Sequence, residues 1–387
     1  MDAKDGVRER LNAARTGLIE MSHRIHGSPE IAYEEEKASA WLCEALDAAG
    51  FAVERGVAGL PTAFKATYGS GPLNIGICAE FDALPGIGHA CGHNIIASAG
   101  IGAAMAAAQV ADDLGITVTV MGTPAEEYIK SGGKITMLEQ GAFDGLHAAI
   151  MVHPMPEDVV AVPLIAAAGF EVRYHGKSAH ASSAPDQGVN AGDAMTIAQA
   201  AIGLMRPTLR PTDRVHGIVT KGGDAFNIIP ELVTADFGVR ATTLDDLDSV
   251  YQKVLRCFEA GAVATGARLE VDGGSKPFAH MVHDTELATL YGRNLADSGR
   301  TFISEEEAWR RPVSSDMGNV SLEVPSMHPG IAIDTKGAVN HQPEFTAACA
   351  TESADRAVYD GALGLALTAV DMATVPSLRE RLVVSRK

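Results

Sequence analysis

Long apolar runs are missing from this 387-residue sequence, and none approaches the roughly 20 residues that a membrane-spanning helix requires. The opening segment Met1-Asp2-Ala3-Lys4-Asp5 also lacks the apolar core of a signal peptide, so a cytoplasmic location is expected. Cysteine is scarce and scattered. The five residues Cys43, Cys78, Cys91, Cys257 and Cys349 are an odd number in a chain large enough to hold its core without staples, and disulfides are not expected. Basic residues are outnumbered, with 31 Lys plus Arg against 49 acidic residues and a formal net charge of −18. That field repels nucleic acid and anionic membrane surfaces, which excludes both as expected partners. Internal repeats and low-complexity tracts are absent as well.

Hydrophobic residues make up 46% of the chain and charged residues 21%, a globular composition. The length favours two domains, one of them inserted in the other. Helical periodicity runs from Asp5 to His26 and again from Glu34 to Ala49. Strands are expected at Phe51 to Glu54, Thr62 to Tyr68, Leu73 to Ala79, Ile116 to Met121 and Ala148 to Val152, with a tightly packed Ala- and Gly-rich helix from Ile95 to Val110. The last three strands end at Glu80-Phe81-Asp82, Pro124-Ala125-Glu126-Glu127 and His153-Pro154. An open α/β sheet places its site beyond the carboxyl ends of its strands, so this recurrence points to one shared site. From about Ala166 the order becomes β-α-β-β-α-β up to Asp272, the ferredoxin-like signature. The chain then returns to α/β character, with a helix near Asp284 to Ala296, a strand-like Ser326 to Ile333 and a long final helix from Phe345 to Met372.

Zinc-like ions take thiolate, imidazole and carboxylate ligands, and this chain supplies all three at strand and loop ends. Cys91-Gly92-His93 offers two ligands from one tight loop, with a glycine that allows the turn. Adjacent Glu126 and Glu127 are unfavourable as neighbours unless a cation or proton compensates them. Coordination through Glu127 leaves Glu126 to take a proton from water and pass it to a leaving amine. His153 follows an apolar strand, and His341 lies in Asn340-His341-Gln342-Pro343 ahead of the last helix.

Read in order, these motifs resemble the metallopeptidase family of aminoacylase and glutamate carboxypeptidase G, in the amidohydrolase branch with aminobenzoyl-glutamate hydrolase and the auxin-conjugate hydrolases. The matching segments are Arg24-Ile25-His26, Pro29-Glu30, Glu34-Glu35, Asp82-Ala83-Leu84-Pro85, Gly88-His89-Ala90-Cys91-Gly92-His93, Pro124-Ala125-Glu126-Glu127, His153, Gly176-Lys177-Ser178-Ala179-His180, Asn227-Ile228-Ile229-Pro230, Ser315-Asp316 and His341. They cover nearly the whole chain. The resemblance implies an α/β catalytic domain of the di-metal exopeptidase type, phosphorylase/hydrolase-like, over residues 1–165 plus 275–387. Residues 166–274 would form an inserted ferredoxin-like α+β lid and dimerisation domain, making a homodimer.

The resemblance further implies two divalent ions, zinc in the first place with manganese or cobalt as alternatives. Cys91 would be shared between them, His93, Glu127, His153 and His341 would complete the coordination, and Glu126 would act as general base. Asp82 would orient a ligand imidazole, as such carboxylates do at metal sites. His180 is expected to stabilise the oxyanion from a dimer partner, a contribution of roughly 3 kcal/mol. Asn227 and Arg240 would bind the substrate carbonyl or carboxylate, the guanidinium fork suiting the latter. His328 competes with His341 for the last ligand position and is assigned to the substrate pocket.

Two departures set the chain apart within the family. Glu80 stands where many members carry a histidine, and Asn94 follows Cys-Gly-His where the auxin-conjugate hydrolases carry Asp. Gly88-His89-Ala90-Cys91-Gly92-His93-Asn94 and Ser315-Asp316-Met317-Gly318-Asn319-Val320 look closer to the aminobenzoyl-glutamate hydrolase and dipeptidase-like subgroup. The expected activity is hydrolysis of an amide joining an acyl or aminoacyl group to an amino acid or aromatic amine. Removal of an amine from an aromatic or amidine substrate is the alternative chemistry, and a non-catalytic metal sensor or scaffold is the alternative class. Intact Glu126 and His180 argue against the scaffold, because metal binding needs neither.

Overall fold

The computed structural model describes residues 2–273 and 276–384, and the domain boundary expected between Gly274 and Ser275 lies outside the described residues. The chain divides into two compact units: Met1–Tyr128, Gly132–Pro163 and Met281–Lys387 form the first, Ile129–Ser131 and Leu164–His280 the second. In chain order the strands are β1 (Ala52–Arg55), β2 (Phe64–Tyr68), β3 (Leu73–Glu80), β4 (Ile116–Thr123), β5 (Ala148–Ile150), β6 (His153–Met155), β7 (Ala166–His175), β8 (Arg214–Lys221), β9 (Leu232–Ala241), β10 (Arg268–Asp272), β11 (Ser326–Met327) and β12 (Gly330–Ala332).

In the first unit a six-stranded sheet runs β1-β2-β4-β3-β5-β11. Its β4, β3, β5 and β11 are parallel to one another, and β1 and β2 add an antiparallel margin. Every residue of β4 is buried although Thr alternates with Val in it. The hydroxyls are satisfied locally, Thr117 donating to the Gly71 carbonyl and Thr119 to the Asn74 side chain. The helix His93–Ala108 packs on β3 and against the helices Ala3–His26 and Glu352–Thr374. Its small residues permit that closeness: a Cβ on Gly102 would stand 2.6 Å from Leu18 Cδ1 and 3.2 Å from Ala362 Cβ. The Leu and Ile side chains buried here each contribute about 1.5–3 kcal/mol, and together they fix the platform from which the loops project.

Two expectations need correction. Ser326 to Ile333 is two strands in different sheets, β11 beside β5 and β12 beside β6. Pro329 has no N–H to continue the ladder, and its carbonyl accepts the His153 N–H instead. The long final helix expected from Phe345 to Met372 is two helices, Pro343–Ala348 and Glu352–Thr374, and a further helix, Pro376–Val384, follows it. Thr351 is extended at the first break (φ −98°, ψ 170°), and the carbonyl freed at Cys349 accepts the Asn94 amide at 2.9 Å. Asn94 also donates to Ser22 Oγ, a double donation that an Asp cannot supply.

The second unit has the expected ferredoxin-like order. Its antiparallel sheet runs β10-β7-β9-β8, with the helices Ala191–Met205 and Leu244–Thr265 packed on it. Burial alternates strictly along β9, so one face supplies the core through Val233, Ala235, Phe237 and Val239. Strand β8 is an edge, and Ile218 and Val219 on it are 65% and 42% exposed.

Candidate active site

Three strand ends and one helix start converge in the first unit. Strand β3 ends at Glu80 and leads to Asp82, β4 leads into Pro124-Ala125-Glu126-Glu127, β6 opens on His153, and His93 begins the helix His93–Ala108. Gly92 makes the turn before that helix with φ +74°, and a Cβ there would stand 2.4 Å from Pro154 Cγ. Only glycine meets both demands, the left-handed backbone and the close approach.

Two sets of ligand-type atoms form around one sulfur. Cys91, His93 and His153 present donor atoms within 4.8 Å of one another, and so do Cys91, Glu127 and His341. The Cys91 Sγ lies 3.6 Å from His153 Nε2 and 3.7 Å from His341 Nε2, and His341 Nε2 lies 3.4 Å from Glu127 Oε2. Ligands about 2.0–2.3 Å from a tetrahedral ion are separated by roughly 3.3–3.6 Å, so these spacings fit the group. The imidazoles are oriented for it. Asp82 Oδ1 accepts from His93 Nδ1 at 2.9 Å and the Pro154 carbonyl accepts from His153 Nδ1 at 2.8 Å, which turns both Nε2 atoms inward. The His93 Nε2 and Glu127 Oε1 atoms are buried without a hydrogen-bond partner, as expected of atoms reserved for a cation. His341 has φ +70°, and its N–H is held by the Ala90 carbonyl.

Negative charge accumulates at this point. Burial, followed by the charges of Glu80 and Glu127, pushes the Glu126 carboxyl well above the usual carboxylate range. Burial and Glu127 likewise push the Cys91 thiol up. Burial opposes a charged His93, but Asp82, Cys91 and Glu80 outweigh it and hold its pKa well above the ordinary value. A divalent cation would relieve all three.

Part of the compensation is built into the chain. Lys134 is completely buried, its Nζ 2.6 Å from Glu80 Oε1 and 2.5 Å from Asp316 Oδ1, while its N–H bonds Asp316 Oδ2 at 2.9 Å. Glu80 turns its other oxygen toward His93 Nε2 at 3.6 Å and, with His93 and Glu126, makes a third cluster of ligand type. In this chain that carboxylate is ion-paired to a lysine.

His328 belongs to none of the three clusters. It is buried and stacks on His153 with ring centroids 5.6 Å apart, and burial holds its pKa well below the ordinary value. A cavity of about 370 Å³ lies beside the clusters, lined by Met155, Val159, Val162, Ile303, Val313 and Asn340 among others, without His328. Asn340 joins it to the site, its Nδ2 donating to Cys91 Sγ at 3.5 Å.

In the second unit His180 and Asn227 are neighbours on the surface. The Ala181 N–H bonds the Asn227 carbonyl at 3.0 Å, and His180 bridges to Ile228. The His180 Nδ1 accepts from the Ser182 and Ser183 N–H groups at 3.2 Å, which leaves Nε2 outward as the donor nitrogen. Arg240 lies on β9, in register with Arg214 of β8 and Ala167 of β7.

Sequence reasoning missed Lys134, Asn340 and the buried Glu35. Lys134 had a local signal, a charge directly after Gly132-Gly133 and at the start of the short helix Gly133–Glu139. A Cβ on Gly133 would stand 1.9 Å from the Pro124 carbonyl oxygen, so the glycine seats the lysine against the Glu126 turn. Asn340 was visible only as the neighbour of His341.

Comparison with known proteins agrees with this geometry. Residues 166–265 match the peptidase dimerisation domain. The chain is 37% identical over 388 residues to the Xaa-Arg dipeptidase of Mus musculus, covering 96% of this chain and 89% of that protein. It is 29% identical over 332 residues to a p-aminobenzoyl-glutamate hydrolase chain of Escherichia coli (strain K12), covering 80% of this chain and 69% of that one. A Bacillus subtilis structure described as a dinuclear metal binding peptidase from the M20 family superposes with a TM-score of 0.68 at 23% identity, covering 93% of this chain and 98% of that one. Identity at the dipeptidase level, over nearly the full length of both chains, means that this chain belongs to the M20 peptidase family and is a metal-dependent hydrolase of amide C–N bonds.

Proposed function

We propose that the chain is a dipeptidase acting on dipeptides with a cationic residue on the amine side, with N-acyl amino acids and aminobenzoyl conjugates as the next classes. Its likeness to a Xaa-Arg dipeptidase over 96% of its length supports that choice of substrate. The observation that carries the mechanism is Cys91 standing in both clusters, which suits a pair of ions held side by side. Cys91, His93 and His153 would hold one, Cys91, Glu127 and His341 the other, with Asp82 orienting His93 and His328 backing His153. Zinc suits the thiolate and imidazoles, and manganese or cobalt suit the remaining donors. Ions so held polarise a scissile carbonyl and acidify water.

The chain's own groups do the rest. Glu126 takes the proton of the attacking water and delivers it to the amine nitrogen as the C–N bond breaks. The partner subunit's His180 would donate to the developing oxyanion, and Asn227 and Arg240 would engage the substrate carbonyl and carboxylate. The cavity beside Asn340 receives the apolar part of the substrate. Exposed Ile218 and Val219 on the edge strand β8 support a homodimer formed through the second unit. Five free thiols suit a reducing, cytoplasmic compartment.

The test is turnover of Xaa-Arg, Xaa-Lys and N-acyl amino acid panels by metal-reconstituted protein, with products identified by mass spectrometry. Free arginine or lysine is the expected product. Glu126→Gln should lower kcat by about 10³-fold or more at unchanged metal content. Wild-type turnover by that variant, or release of ammonia alone, overturns the reading.

A further inference from the structure

We propose that Glu35 is a positioning residue for Glu126, acting through the backbone of Ala125. Glu35 is 0% exposed and lies in the loop ahead of the helix Glu36–Ala48, distant in sequence from every residue assigned above. Its Oε1 accepts the Ala125 N–H at 2.9 Å and the Tyr33 N–H at 2.9 Å, and its Oε2 accepts the Thr62 hydroxyl at 3.0 Å. Ala125 and Tyr33 are both left-handed, with φ +59° and +65°, a conformation that alanine and tyrosine keep only where the surroundings impose it. One buried carboxylate oxygen thus holds two strained residues from separate segments.

The consequence falls on the base. Ala125 immediately precedes Glu126, and the residue after Glu126 is fixed in the same manner, the Glu127 N–H donating to Asp82 Oδ2 at 3.0 Å. Glu126 therefore sits between two amides, each anchored by a carboxylate outside the ligand clusters. Releasing the Ala125 anchor lets the turn relax toward right-handed backbone and swings the Glu126 side chain, while Asp82 still holds Glu127. Loss of Glu35 should act on the proton transfer more than on metal retention.

The inference rests on Glu126 as general base, and two variants separate the outcomes. Glutamine keeps an oxygen for both N–H groups, and its amide can donate to Thr62, so Glu35→Gln should retain kcat within about threefold. Glu35→Ala should lower kcat about tenfold or more, with KM and bound metal unchanged. In metal-free protein the Ala125 amide should exchange with deuterium at least about tenfold faster in Glu35→Ala than in wild type or Glu35→Gln. If Glu35→Ala does not fold, Glu35→Asp, whose shorter side chain withdraws the acceptor, should show the same kcat loss and faster exchange. Wild-type kcat and exchange in folded Glu35→Ala or Glu35→Asp, or equal impairment of the Gln variant, overturns the inference. Full turnover by Glu126→Gln would instead sink the underlying assignment of the base.

Discussion

The two units treat their polar residues in opposite ways. In the first, the groups that cluster around Cys91 are mostly buried, and their backbones or rings are already tied: His93 by Asp82, His153 by the Pro154 carbonyl, Ala125 by Glu35, Glu127 by Asp82. In the second, His180 and Asn227 lie on the surface beside a fully exposed Phe226, although the two segments that carry them are hydrogen-bonded to each other. The first unit has the hallmarks of preorganisation, where geometry is fixed before substrate arrives. The second leaves its polar groups open to solvent, and its edge strand β8 leaves Ile218 and Val219 exposed as well.

That contrast can be broken at its strongest point first. Lys134→Met would leave Glu80 and Asp316 buried without their cation, and removing one member of such a buried group costs about 3–5 kcal/mol. Urea unfolding should show that loss in the first unit, and an unchanged midpoint would mean that its interior charges are not balanced by this lysine. His180→Ala should behave oppositely. We expect about a 10²- to 10³-fold drop in kcat with stability and metal content intact, because a surface donor contributes to the transition state and not to the fold. A comparable loss of stability would erase the distinction between the units.

The smallest expected effect is a pH dependence. Burial, then the charge of Asp82, raises the Glu35 carboxyl from 4.5 to about 7. A carboxyl raised in the folded state favours the protonated form, so its contribution to stability is complete below pH 4.5 and is lost as pH rises through about 7. Glutamine does not titrate. Glu35→Gln should therefore gain on wild type as pH rises, by on the order of 3 kcal/mol at pH 8, read from unfolding midpoints at pH 4.5 and pH 8. A constant difference across that range would show that Glu35 is not perturbed by its burial.

The legible parts of this protein were those written locally. Strand β4 and the turn at Glu126 and Glu127 are contiguous, and the alternation of β9 announces its own buried face. Cys91, His93, Glu127, His153 and His341 were each conspicuous by residue type at the end of an element. What could not be read depended on distant pairings. Glu35 meets Ala125 across 90 positions and Lys134 meets Asp316 across 182, and neither stretch of sequence hints at its partner. His328 and His341 were rivals because each lies between elements with a proline within the next two residues. Their difference is spatial, one stacked beneath His153 and the other facing Cys91 and Glu127. The break in the final helix was hidden for a similar reason, since the amide that accommodates it belongs to Asn94.

The pairing of Cys91 with His341 spans 250 positions of chain, with the whole second unit, Ile129–Ser131 and Leu164–His280, synthesised between them. As the polypeptide leaves the ribosome, domains generally fold as units and contacts of long sequence separation close late. The inserted unit is complete before His341 exists, whereas the cluster of Cys91, Glu127 and His341 must wait for a segment made after it. The cluster of Cys91, Glu127 and His341 is therefore assembled last of the three, and a chain stalled before His341 lacks it while already carrying Cys91, His93 and His153 and also Glu80, His93 and Glu126.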